Sequence, residues 1–166
     1  MKLSVLDQSP VRQGATPADA VRETLELARH VDALGYHRYW LAEHHSSPGL
    51  ASTAPEILIT RVAAETRHLR VGSGGVMLSH YSPLKVAEIF RMLEALYPGR
   101  IDLGIGRAPG SDQLTAIALQ HGPGALGIEY FPNQISDLLG FMENRLPANH
   151  PFQRIRVMPA GDTTGS

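Results

Sequence analysis

The sequence predicts an α/β fold of parallel strands, each followed by a helix. Short apolar segments open near residues 3, 38, 69 and 101, a spacing of roughly 30–35 residues that suits one strand–helix unit. Thr16-Pro17, Thr53-Ala54-Pro55 and Ser82-Pro83 then precede runs of apolar residues at spacings of three and four, the mark of capped amphipathic helices. Polar and glycine-rich clusters follow the apolar segments, whereas ordinary turns such as Gly35-Tyr36-His37 and Pro98-Gly99-Arg100 precede them. Repeated strand–helix units require parallel strands joined by right-handed crossovers. The open doubly wound sheet and the (β/α)8 barrel both use that unit, and periodicity leaves both open.

Leu3, Val5 and Leu6 form the first strand, which stops at Asp7-Gln8-Ser9-Pro10 because proline cannot donate to a ladder. Val21, Leu25, Ala28, Val31 and Leu34 form the stripe of the first helix, and Gly35 closes it. Tyr39 to Ala42 is the second strand, ending in Glu43-His44-His45. The second helix runs to about Thr66 on Ile57, Leu58, Val62 and Ala63. Leu69 to Leu78 reads as one strand carrying Gly72, Gly74 and Gly75, and the third helix buries Val86, Ile89, Phe90, Leu93 and Leu96. Ile101 to Ile105 is the fourth strand and runs into Gly106-Arg107-Ala108-Pro109-Gly110. Residues 107 to about 133 break the period with a long Gly/Pro-rich excursion, the kind of loop that serves as a lid or binding segment. It carries a short helix at Asp112–Leu119. A last helix uses Ile135, Leu138, Leu139 and Met142, and Ile155–Met158 reads as a strand.

The chain has 166 residues, 15 Lys+Arg against 16 Asp+Glu, and no cysteine. Near-neutral charge gives no footprint for nucleic acid or anionic lipid. The absence of cysteine excludes a disulfide scaffold, a thiolate metal site and a cysteine nucleophile. Asp7 interrupts any signal-length apolar run, and Glu56, Arg61, Glu88 and Arg91 break later ones. The expectation is a soluble cytoplasmic protein that takes a small-molecule substrate and contacts neither nucleic acid nor membrane.

Glu43-His44-His45 is the most suggestive cluster. Neighbours on extended backbone point to opposite sides, so one histidine faces a site while the other packs or is solvated. Neither HxH nor HxxxH spacing is present, so a metal pair is not expected. His44 suits acid/base work near neutral pH, and spacing alone leaves a structural histidine open. Gly72-Ser73-Gly74-Gly75 fails the dinucleotide fingerprint, because Met77 stands where a glycine is required. It fits a bulge or a place where a flat ligand meets the backbone. Arg107 offers an anion anchor or a surface pair with Asp112. Asp7, Gln8 and the segment Ser79-His80-Tyr81 share the same strand ends, whereas His30, His37, His68, His121 and His150 are scattered and read as solvated.

Taken in order, five segments resemble the bacterial-luciferase-like family of flavin-dependent monooxygenases: Leu6 to Pro10, Trp40 to His45, Val71 to Leu78, His80 to Glu88 and Pro98 to Gly110. The resemblance implies a (β/α)8 barrel that binds reduced FMN, or in some relatives a deazaflavin, at the carboxyl face, with no metal. Reduced flavin and O2 would act on a small organic substrate. His44 would stand at the flavin's reactive edge. Ser73, Gly74 and Gly75 would form the platform behind the ring, with a non-prolyl cis peptide at the glycine pair. Arg107 would contact the flavin, and Asp7, Gln8 and Glu43 would line the substrate side. Helices two and three, including Glu88, would match a dimer surface, and a separate flavin reductase would serve as partner.

A barrel of this type takes about 250 residues, so residues 1–158 correspond to an amino-terminal half of about four units, with 159–166 a flexible tail. The alternative is a catalytically silent half-barrel that oligomerises through its open edges and binds flavin weakly or not at all. An open α/β domain for another anionic ligand is the third reading.

Overall fold

The computed structural model describes residues 1–108, 112–119 and 128–160. Strands β1 (Ser4–Asp7), β2 (Arg38–Leu41) and β3 (Arg70–Ser73) lie parallel and in chain order, and β5 (Ile101–Asp102) joins β3. A second parallel pair, β4 (Val76–Met77) with β6 (Ile105–Gly106), continues the wall beyond it. Helices α1 (Pro17–Ala33), α2 (Pro55–Glu65) and α3 (Pro83–Leu96) connect the strands. Strand order without reversal is the barrel arrangement; a doubly wound sheet reverses at its switch point. The fold is therefore of the (β/α)8 type, here four parallel units.

Local chemistry explains the helices. Thr16 accepts from the Asp19 N–H while Asp19 Oδ2 accepts from the Thr16 N–H at 2.8 Å, a reciprocal cap that satisfies two orphan donors. Prolines open α1, α2 and α3, where a missing N–H costs nothing. Gly35 and Gly99 adopt φ of 75° and 74°, turning the chain toward the next strand.

Pleating sends Tyr39, Leu41 and Val71 to the helix side, where they pack fully buried against Ile59, Val62, Phe90 and Leu93. Leu41 and Val71 each contribute about 1.5–3 kcal/mol on burial. The opposite face is open: Leu6 is 58% exposed. Across it Leu6, Trp40, Gly72 and Asp102 stand in one register row.

Several expectations are corrected. The strand expected over 69–78 ends at Ser73 and its far end is a 3-10 turn, Leu78–His80, while the non-prolyl cis peptide expected at Gly74–Gly75 is present. The fourth strand divides in step, because β6 pairs with β4 rather than with β3. Leu34 and Leu96 end their helices exposed, at 73% and 56%. In α1, Thr24 is buried instead, bonded through its hydroxyl to Ser9. Helix α4 (Gln113–Leu119) forms as expected. Helix α5 (Phe131–Met142) buries Gln134, Leu138 and Phe141, while Leu139 is 52% exposed. Ile155–Met158 is irregular chain and no strand, with Val157 as its one buried side chain. His150 is paired with Asp137 at 3.1 Å. Pro109, Gly110, His121 and most of the expected tail lie outside the described residues, as does much of the expected lid.

Candidate active site

Strand register brings the candidate residues to one end of the sheet. His44 follows β2 by three residues, and Leu41 pairs with Ser73. Gly74 and Gly75 come next on that neighbouring strand. Arg107 follows Gly106, whose register partner is Met77. This is the carboxyl end, where loops of the barrel architecture carry chemistry.

The glycines make room for close packing around Trp40. A Cβ on Gly74 would meet Leu6 Cδ1 at 2.9 Å and Trp40 Cβ at 3.1 Å, and Gly74 itself is exposed. A Cβ on Gly75 would meet the backbone of Gly104 and Ile105 at 2.8 Å. The result is a stretch of bare backbone on the open side, beside a half-buried indole.

Glu43 is buried, its side chain 1% exposed. Oε2 accepts from the Met77 N–H at 2.9 Å, and Oε1 accepts from the Tyr81 hydroxyl at 2.6 Å and contacts His45 Nε2 at 2.8 Å. Burial and the bond to Glu43 push the Tyr81 phenol well above its usual range, so it remains a neutral donor. His45 also meets His80 edge to face, with ring centroids 6.5 Å apart. His45 is thus the packed histidine. His44 is not: its N–H donates to Ser52 O at 2.9 Å, yet its buried Nδ1 has no partner among the described residues.

The other candidates divide. Asp7 is buried and accepts from the Ser9 N–H at 2.8 Å and from the Tyr39 hydroxyl at 2.6 Å. Burial and that carboxylate raise the Tyr39 phenol in the same way as Tyr81. Asp7 and Glu43 therefore belong to the framework of the site rather than to an exposed lining, while Gln8 is exposed. The fully buried Ser73 hydroxyl donates to Gly104 O at 2.8 Å and accepts from the Gly104 N–H at 3.1 Å, stitching two strands together. Arg107 is exposed and makes no ion pair with Asp112 among the described residues; the Asp112 carboxylate accepts from the Thr115 N–H and hydroxyl. No three His, Asp or Glu side chains gather among the described residues as a metal site would require.

Sequence reasoning put Tyr81 at this end within Ser79-His80-Tyr81 but not its bond to Glu43, and it missed Ser52 and the Met77 N–H. Period-two alternation, which puts Glu43 and His45 on one side and His44 on the other, was the available signal.

The family described as luciferase-like monooxygenase matches residues 1–123. A luciferase-like monooxygenase of Escherichia coli (strain K12) is 50% identical over 148 residues, 89% of this chain and 44% of the relative. The N-acetyl-S-alkylcysteine monooxygenase of Bacillus subtilis (strain 168) is 45% identical over 162 residues, 98% of this chain and 48% of the relative. The solved structure of apo-MsnO8 matches with a TM-score of 0.86 and 48% identity, over 96% of this chain and 46% of that one. The chain spans about half the length of the curated relatives it matches.

Proposed function

Because this chain belongs to the luciferase-like monooxygenase family, we propose that it supplies the amino-terminal, cofactor-facing half of a flavin-dependent monooxygenase acting on a small organic substrate. The observation that carries this reading is the meeting, at one strand end, of an unpartnered His44 nitrogen and the bare Gly74–Gly75 backbone beside Trp40.

Both features fit a flat, polar-edged ring. Gly74 is exposed backbone where a Cβ would collide with Leu6 and Trp40, which suits a ring laid against it, and His44 has a buried nitrogen with no partner among the described residues. Reduced FMN, or a deazaflavin in its place, would supply the electrons and the reactivity toward O2 when bound. The chain's own residues do the rest. His44 donates a hydrogen bond or moves a proton through its ring nitrogens. Gly74 and Gly75 let the ring lie against the backbone, and Arg107 anchors negative charge. Leu6 and Trp40 keep water from the face they cover, and Gln8 reaches the substrate side. A separate reductase would deliver the reduced flavin. Among the described residues no helix is long and apolar enough to cross a membrane, and we place the protein in the cytoplasm.

The open face favours a second reading alongside the first. Leu6 is 58% exposed, and β1 and β5 are edge strands of the four-stranded sheet. Unpaired edges invite another chain. On this reading the chain by itself oligomerises and holds flavin weakly. The outer groove between α2 and α3, about 890 Å³ and lined by Ile57, Glu88, Met92 and Leu96, would serve as a dimer surface.

Trp40 is the chain's single tryptophan, so its fluorescence reports on the platform directly. Titration with oxidised and then with anaerobically reduced FMN should give saturable quenching, stronger for the reduced form and weakened by His44→Ala. Saturable quenching by neither form would remove the flavin reading and leave the silent half-barrel.

A further inference from the structure

The Glu43 carboxylate is almost wholly buried and makes three contacts, two of them with donors from one neighbouring segment. Met77 is two residues beyond Gly75, and Tyr81 is four residues beyond Met77. His45, the third contact, belongs to the same loop as Glu43. Buried carboxylates persist only when hydrogen-bonded throughout, and charge-assisted bonds at 2.6–2.9 Å are strong and directional. Glu43 is therefore fixed to Met77 and Tyr81, and His45 to Glu43, on either flank of His44.

His44 is held from the other direction as well. Its own N–H is bonded to Ser52 O, and the Ser52 hydroxyl donates to Ala42 O at 2.5 Å. The His44 N–H and the Ala42 carbonyl are thus tied to Ser52 and the side chains on either flank are bonded, while the His44 ring nitrogen Nδ1 is left unpartnered among the described residues. A rigid mount around an unengaged side chain is the arrangement that holds a functional group in one pose.

We infer that Glu43 is a positioning residue: by joining the His44 loop to the backbone just beyond Gly74–Gly75, it sets where His44 stands relative to that glycine pair. It acts through Met77 and Tyr81 and touches no substrate. Its use rests on the proposed role of His44 toward flavin, but the test below is made without flavin, so the two readings fail separately.

The test compares amide hydrogen exchange in the unmodified chain, Glu43→Gln, Glu43→Ala and Tyr81→Phe. Loss of the buried acceptor should speed exchange at the Met77 amide by about tenfold or more in Glu43→Ala. The His44 amide should rise with it, and Val71 in β3 should stay unchanged. Glu43→Gln retains an oxygen for the Met77 N–H and should recover most of that protection, while Tyr81→Phe should shift the same amides less. The ethoxyformylation rate of the His44 ring should change severalfold in Glu43→Ala against exposed His30 as reference, a readout that general loosening would move at both rings. Should Glu43→Ala not fold, Glu43→Gln and Tyr81→Phe decide through the same two amides. The inference is overturned if Met77 loses protection while His44 keeps it, if neither changes, or if all sheet amides rise together.

Discussion

The two ends of the sheet treat their polar groups differently. At the amino end Asp32, Arg100 and Asp102 are engaged in holding the fold. Asp32 accepts from the backbone N–H groups of Arg67, His68 and Leu69, each at 2.9 Å. Arg100 donates to Leu69 O, Ala63 O, Thr66 O and the Thr66 hydroxyl, closing the carboxyl end of α2. Toward the same end Asp102 lies between Arg38 and Arg70. At the carboxyl end Asp7 and Glu43 are equally engaged, but His44 retains an unpartnered buried nitrogen and Gly74 an uncovered backbone. Saturated groups stabilise, whereas groups left over can act on something else. The contrast separates scaffold from site without reference to any ligand.

The sharpest way to break this contrast is His44→Ala. If His44 acts, flavin-dependent turnover should fall by about 10²–10⁴-fold, while thermal stability changes by no more than about 0.5 kcal/mol. Steady-state kinetics beside a melting curve would check it; a variant that melts early and turns over normally would place His44 with the scaffold.

The converse substitution, Asp32→Ala, ranks next. It leaves three N–H groups without their acceptor and should lower unfolding free energy by about 1–3 kcal/mol. Quenching of Trp40 by reduced FMN should be unaffected in the folded variant. Urea denaturation and the flavin titration together test it.

A smaller effect separates the ends by pH. Burial opposes ionisation of Asp32 and Asp102, but three backbone N–H groups and the two arginines respectively outweigh it, so both carboxyls titrate below their usual range. A depressed carboxyl stabilises the fold fully above its unfolded value, about pH 4, and the contribution is lost as pH falls through the lower folded value. Stability should therefore decline below about pH 4. Asp102→Asn should flatten that decline, and His44→Ala should leave it unchanged. Urea midpoints measured at successive pH values read both.

The sequence made the repeat, the capped helices and the shared strand end legible because those depend on neighbours within a few residues: Thr16 and Asp19, Pro55, Pro83, Gly35. The break at Gly74–Gly75 was not legible as a split in the strand. It depends on Gly104 and Ile105, whose backbone leaves no room for a side chain at Gly75. Glu43 was visible as a carboxylate beside two histidines, but its burial is imposed by Met77 and Tyr81, more than thirty residues away. Leu139 fitted the helical period of α5 yet is exposed, whereas Phe141 joins the buried core.

The outer groove between α2 and α3 offers the mildest probe, because it belongs to neither end. Ile57 is 67% exposed and Met92 53% exposed, side by side on helices whose inner faces are already packed. An exposed apolar pair of this kind contributes little to the folded protomer, so Ile57→Glu or Met92→Glu should change its unfolding free energy by about 0.5 kcal/mol or less. If the groove is covered by a second copy, the same charge placed in a desolvated interface is costly, and light scattering should show the mass falling to that of one chain. A mass that stays multimeric would move the contact to the open face and the edges β1 and β5. A charge at Leu6 should then dissociate the assembly where Ile57→Glu did not, and the same substitution should alter Trp40 quenching, because Leu6 and Trp40 share a register row.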